Sequence, residues 1–245
     1  CIRDRLVPGT FDACSLADRK GKVAKAEAKT LDKEQEKCAS LAVPPPFGYT
    51  SGAIVNIAAV DGALALSRNI FGNPVDDSDL FLASDPTKDE AKCQLEMLKN
   101  ANKLDDTILK EANKVKKKAL KDGTVSSASD LEDTIRNFIA SNEKILKAEV
   151  KFADKVDKKC LGLPTAPTLL FPGICADASL ANVEDCVIAA ARCEVCLKLN
   201  AFDDLSIDCD EADDEVVNGS CPWLVLPPAT PTPTPMVMPT PSPTP

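Results

Sequence analysis

The chain has 245 residues and a formal net charge of −9; 44% of it is hydrophobic, only 4% is aromatic, and it contains no histidine. Without histidine there is no Ser-His-Asp or Cys-His nucleophile pair, no histidine-ligated zinc and no CxxCH haem attachment, which removes most standard hydrolases. The balance of 29 basic against 38 acidic residues argues against nucleic-acid binding, which needs a net basic surface.

Abundant Ala and Leu with few aromatics suit helix–helix cores better than strand sandwiches. The expected fold is mostly α: helical hairpins or a bundle cross-linked by disulfides, followed by an extended polyproline-type tail. Three regions are expected: a helical region at 1–84, a disulfide-stapled helical region at 85–226, and a Pro/Thr-rich tail or linker at 227–245. Eleven cysteines without zinc-finger spacing point to disulfides and an oxidising compartment. The best apolar stretch is interrupted by Asn56 and Asp61, so no membrane span of ~18 apolar residues is expected. Cys1 is a candidate for lipidation at a mature N-terminus; the alternative is a disulfide.

In chain order, Pro8 and Gly9 mark a turn, and a first helix is expected over about 14–38, with Leu16, Val23, Leu31 and Cys38 on one face. Its many lysines read as a solvated face. Pro44, Pro45 and Pro46 stop it. A second helix is expected over 52–71, capped by Ser51, striped by Ile57, Val60, Leu64 and Phe71, and ended by Gly72 in a left-handed cap. Its low charge predicts the most buried helix of the chain. The third starts with Asp85 as cap, Pro86 at the first helical position and acids Asp89 and Glu90 in the first turn. Met97, Ala101, Leu104, Ile108, Ala112, Val115 and Ala119 line its inner face. Lys116, Lys117, Lys118 and Lys121 crowd its end, where the helix dipole alone explains them, and Gly123 closes it.

A fourth helix is expected over about 128–159. Its seam carries Ile135, Phe138, Ile145, Phe152 and Val156, interrupted by Asn142 and Glu149. Joined by a short link, helices three and four form an antiparallel hairpin, which predicts a Cys93–Cys160 disulfide across its open end. After a loop with Pro164, Pro167, Pro172 and Gly173, a fifth helix spans about 178–200. Cys186, Cys193 and Cys196 share one of its faces and cannot pair along it, so their partners come from neighbouring segments. The disulfide candidates are Cys14, Cys38, Cys93, Cys160, Cys175, Cys186, Cys193, Cys196, Cys209 and Cys221. The CxxC at Cys193–Cys196 reads as structural, because it lies mid-helix rather than at a helix start after a strand.

Between Asp203 and Glu215 eight acids stand with no basic residue among them. Asp208, Asp210, Asp213 and Asp214 make this loop a candidate Ca²⁺ site, because hard oxygen ligands on a loop suit that ion, although the spacing is not that of an EF-hand. No other cofactor is expected. The acids are sequence neighbours without a sugar-stacking cleft, so a glycosidase is disfavoured. The tail alternates proline with Thr230, Thr232, Thr234, Thr240, Ser242 and Thr244, a composition of extended rods and O-glycosylated stalks. Met236, Val237 and Met238 form an apolar plug within it, and Asn218-Gly219-Ser220 matches an N-glycosylation sequon.

AKAEAKTLDKEQEKC at 24–38, KKC at 158–160, FPGIC at 171–175 and CEVCLKLNAFDDLSIDCDEADDEVVNGSC at 193–221 together resemble uncharacterised Cys-rich, Lys/Ala-rich helical proteins of environmental bacteria. Those proteins are predicted to be secreted and often end in Pro/Thr repeats. The resemblance covers roughly residues 20–221 and implies location and class, not an activity. The leading expectation is a non-enzymatic extracellular structural protein. It would self-associate into a filament or surface layer, with a glycan-bearing or docking tail. The alternative is a monomeric cell-surface binding module with a Ca²⁺ or ligand site in loop 203–215.

Overall fold

A computed structural model describes residues 17–18, 20–38, 45–73, 75, 80, 86–180 and 182–209. Of these, 73% are helical and none is in a strand, which agrees with the expected mostly-α class. Cys1, Cys14, Asp85 and Cys221 lie outside the described residues, as does the whole tail.

The first helix, α1, spans Lys22–Lys37. It begins later than expected, because Asp18 and Gly21 take positive φ (33° and 58°) and turn the chain. The Asp18 carboxylate then accepts from the Lys22 and Ala24 N–H groups at 2.8 and 2.9 Å, satisfying orphan donors of the first turn. Those backbone donors hold the Asp18 carboxyl below its ordinary pKa. No residue of α1 is buried. The Tyr49 hydroxyl donates to Glu34 at 2.8 Å, and Asn56 donates to the Glu27 carbonyl at 3.1 Å, which tethers α1 to the next helix.

Helix α2 spans Gly52–Phe71, as expected, with the Ser51 hydroxyl accepting from Ile54 N–H at 3.3 Å. Gly72 has φ 98° and ψ 159°, so it is glycine-specific but not the left-handed cap foreseen. Nor is α2 the most buried helix. Only its second half enters the core, through Leu66, Ile70 and Phe71, while Ile57 stays 63% exposed. The end of α2 is closed from a distance: Gly173 and Ile174 donate to the carbonyls of Ile70 and Asn69 at 3.1 and 2.8 Å. A Cβ on Gly173 would lie 2.0 Å from the Asn69 oxygen, so only glycine allows this approach.

Helix α3 spans Lys88–Asp122, 35 residues or about 50 Å. Asp89 and Glu90 occupy its first turn, and Gly123 closes it in the left-handed region at φ 66°. Its N-cap is Thr87. The expected inner face is buried from Met97 through Ala112 and again at Ala119, with Val115 half-buried between them.

The expected fourth helix is two: α4, Ala128–Ser141, and α5, Glu143–Cys160. Asn142 divides them at φ −73° and ψ 117°. Its side chain accepts from Lys144 and Ile145 N–H at 3.0 and 3.2 Å, competing with the helical ladder and starting a new helix. The seam largely survives the break: Ile135, Ile145, Phe152 and Val156 are buried, whereas Phe138, just before the break, is only half-buried. Helices α3 and α5 form the antiparallel hairpin, closed as expected by Cys93–Cys160 with Cα atoms 5.0 Å apart.

A single turn, α6 at Pro167–Leu170, precedes α7, Val183–Asp203. Helix α7 starts five residues later than expected and runs three residues further, until Asp204 takes φ 50°. It is the interior helix, packed against α2, α3 and α5. Leu66, Ile70 and Phe71 share one apolar cluster with Met97, Ile135, Phe152 and Val187, so the core spans both helical regions drawn from the sequence.

Gly173→Ala is expected to destabilise by at least ~2 kcal/mol through overpacking, whereas Gly123→Ala, with nothing within 4 Å, should lose only ~1 kcal/mol of backbone preference. Urea unfolding of the two variants tests the ranking. Replacing Cys93 and Cys160 by alanine should cost about 4 kcal/mol on the chain-entropy account, since their sequence separation is 67.

Candidate functional site

Sequence spacing places Cys186, Cys193 and Cys196 along one face of α7, and the structure supplies their partners from elsewhere. Cys175 bonds Cys186 and Cys209 bonds Cys196, with Cα separations of 5.8 and 5.6 Å. Cys193 is also disulfide-bonded. Both thiols of the CxxC are therefore committed to separate bridges, and the motif is structural. Cys38, expected to be paired, is a half-buried free thiol at the end of α1.

Because α7 is interior, most of its buried charges are matched by other helices. The exception is Glu184 in its first turn, 9% exposed: its Oε2 has no hydrogen-bond partner among the described residues, and burial pushes its carboxyl above the ordinary pKa. Lys198, 5% exposed, bonds the Asp105 carboxylate of α3. Glu194 lies one turn away, 2% exposed, and accepts from the Asn69 amide of α2 at 2.8 Å. Gly62 of α2 makes room for this group: a Cβ there would meet the Lys198 stem at 2.6 Å. Burial pushes the carboxyls of Asp105 and Glu194 above their ordinary pKa; the charge of Lys198 opposes this for both. One ammonium thus serves two buried acids.

A second pair joins Lys116 of α3 to both oxygens of Asp203, at 2.8 and 2.7 Å. This revises two expectations. Asp203 does not belong to an acidic loop free of bases: it ends α7, buried, with a base from another helix. Lys116 is not a solvated partner of the helix dipole, since its side chain is only 18% exposed. A third pair, Arg192 with Glu149, is bidentate at 2.7 and 2.9 Å and explains the acid that interrupted the α5 seam.

Of the four candidate Ca²⁺ ligands, Asp208 is described and half-buried, whereas Asp210, Asp213 and Asp214 lie outside the described residues. Among the described residues no three ligating side chains gather. The candidate glycan acceptors Thr230, Thr232, Thr234, Thr240, Ser242, Thr244 and Asn218 lie outside as well, as does Cys1.

The remaining feature is a set of aliphatic side chains on α1 and α2 that stand exposed among the described residues. Val23 and Leu31 of α1 and Ile54 and Ile57 of α2 are 41–63% exposed. Of these, Val23 borders a cleft of about 640 Å³ between α1 and α2, lined also by Val55, Ala59, Val60, Ala63, Ser67 and Asp105. Helix α2 also proves long and apolar enough to cross a membrane by length and composition, contrary to the reading from Asn56 and Asp61, with mean hydropathy 1.3 over its best window. Its second half is a core helix, so the apolarity divides into a buried end and this open one.

No family model matches the chain, and no curated protein or solved structure matches it.

Lys198→Met tests the shared ammonium. It leaves Asp105 and Glu194 buried without their cation, which should cost about 3–5 kcal/mol at neutral pH. Carboxyls whose folded pKa is raised favour folding below their unfolded pKa and lose that contribution as pH rises through the folded value. The deficit relative to the parent should therefore shrink as pH falls toward the carboxylate range. Urea unfolding at several pH values measures this; a deficit independent of pH would assign the loss to packing instead.

Proposed function

We propose that the chain is an extracellular structural protein, a subunit that self-associates into a filament or surface layer. The observation that carries this reading is the exposed aliphatic surface of α1 and α2, with Val23 and Leu31 on one helix and Ile54 and Ile57 on the other. Four large aliphatic side chains stand in solvent on these two neighbouring helices, and contact with a second copy would bury them. The bridges Cys93–Cys160, Cys175–Cys186 and Cys196–Cys209 support an oxidising compartment, where such bonds persist. They also brace the part of the molecule that would bear load. The Pro/Thr segment 227–245 extends the unit as a spacer, carrying glycans or contacting the next copy. The function needs no catalytic residue.

Sedimentation and electron microscopy of the full chain should show assemblies in native salt, and Ile54→Lys/Ile57→Lys should convert them to monomers with unchanged helix content. Monomers only, from the unaltered chain across concentration, would overturn the proposal. Assemblies that persist in the double variant would place the contact on another face.

A further inference from the structure

The α3–α5 hairpin bears a groove of about 770 Å³ along which Lys99, Lys103 and Lys110 of α3 stand opposite Lys151 and Lys155 of α5. The Cys93–Cys160 bridge sets their levels. Lys103 lies ten residues in from Cys93 and Lys151 nine in from Cys160; Lys99 and Lys155 lie six and five in. Equal rise per residue in two antiparallel helices therefore puts like charges across from each other twice. Packed helices normally set opposite charges on the rims of their seam, and like charges there repel. Lys99 bonds Glu96 at 3.1 Å. Lys103, Lys110, Lys151 and Lys155 are exposed and make no ion pair with any described residue. Only Glu96 and Asp106 bring negative charge to the groove lining, so a chain of net charge −9 reverses sign here.

We propose that this groove binds a linear anionic polysaccharide, whose sulfate or carboxylate groups lie between the two lysine rows. From Lys99 to Lys110 the row runs about 16 Å, a span for several charged units of a polymer rather than for one phosphate. Lysine ammonium groups are point charges that accept sulfate or carboxylate in many orientations, which suits a polymer sliding in register. Bases would need exposed aromatic or guanidinium planes to stack on. The groove's one aromatic, Phe152, is 2% exposed and its lining holds no arginine, so a nucleic acid fits poorly. A bound polyanion relieves the cross-groove repulsion that the folded chain otherwise carries.

The test is fluorescence anisotropy of labelled dextran sulfate and labelled polygalacturonate titrated with the full chain, with neutral dextran as control. Both anionic polymers should bind, with affinity falling steeply in salt, and neutral dextran should not. Lys103→Gln/Lys151→Gln/Lys155→Gln should weaken binding about tenfold or more and flatten the salt dependence. Lys117→Gln/Lys118→Gln/Lys121→Gln removes equal charge from the far end of α3 and should change binding less than about twofold. All six positions are exposed, so circular dichroism should be unchanged in both variants. Failure of both polymers to bind would overturn the proposal, as would equal loss in the two variants, which would mean diffuse charge attraction. Displacement by a single-stranded oligonucleotide at equal or lower charge concentration would reassign the groove to nucleic acid.

Discussion

Helix α7 enters the interior carrying Arg192, Glu194, Lys198 and Asp203, and a buried charge without a partner costs more than most single contacts return. Each is met by a residue from a different part of the chain: Glu149 of α5, Asn69 of α2, Asp105 of α3 and Lys116 of α3. The arrangement of the other helices follows from these matches. α3 must pass α7 so that Asp105 and Lys116 reach Lys198 and Asp203, and α2 must bring Gly62 over the Lys198 stem and Asn69 to Glu194. Apolar burial drives the collapse, but it is non-directional; the ion pairs and the Asn69–Glu194 hydrogen bond are directional and favour this register.

The disulfides act on the same helix from its outer side. Two of its cysteines are tied to the segments immediately before and after it, by Cys175–Cys186 and Cys196–Cys209. These are short loops, with separations of 11 and 13, so they fix local entry and exit more than global topology. Cys93–Cys160 does the opposite. It closes the long hairpin and sets the level of α5 against α3, which also decides which lysines face each other across the groove. One cross-link thus fixes both the closure of the hairpin and the lining of its lysine groove.

Little of the interior's polar logic reaches α1. It has no buried residue and is held by two side-chain hydrogen bonds and by contact with the exposed half of α2. This helix pair is the part of the described fold with the fewest ties to the core, and it keeps Val23, Leu31, Ile54 and Ile57 exposed. The α3–α5 hairpin is different: its seam is buried, a disulfide closes it, and lysines line its groove.

Where local chemistry acts alone, the sequence determined the result. Ser51 and Gly72 bound α2, Gly123 ends α3, the heptad seam fixes which face of α5 is buried, and antiparallel geometry pairs Cys93 with Cys160. Each depends on residues within a few turns or on one simple hairpin. Asn142 was visible as an interruption, but whether its side chain would cap or merely crowd was settled only by the backbone it adopted. The rest belonged to tertiary structure. The apolar stretch of α2 is half core and half surface, because only its second half meets α7 and the loop at Gly173. Asp203 is a buried ion-pair partner rather than an acidic-loop residue, because Lys116 lies 87 positions away in sequence. The Lys99–Lys155 groove exists only because two lysine rows, each an ordinary solvated face on its own helix, were brought together. Periodicity reports which side of one helix is apolar; which neighbour covers it, and with what charge, depends on contacts that no local pattern encodes.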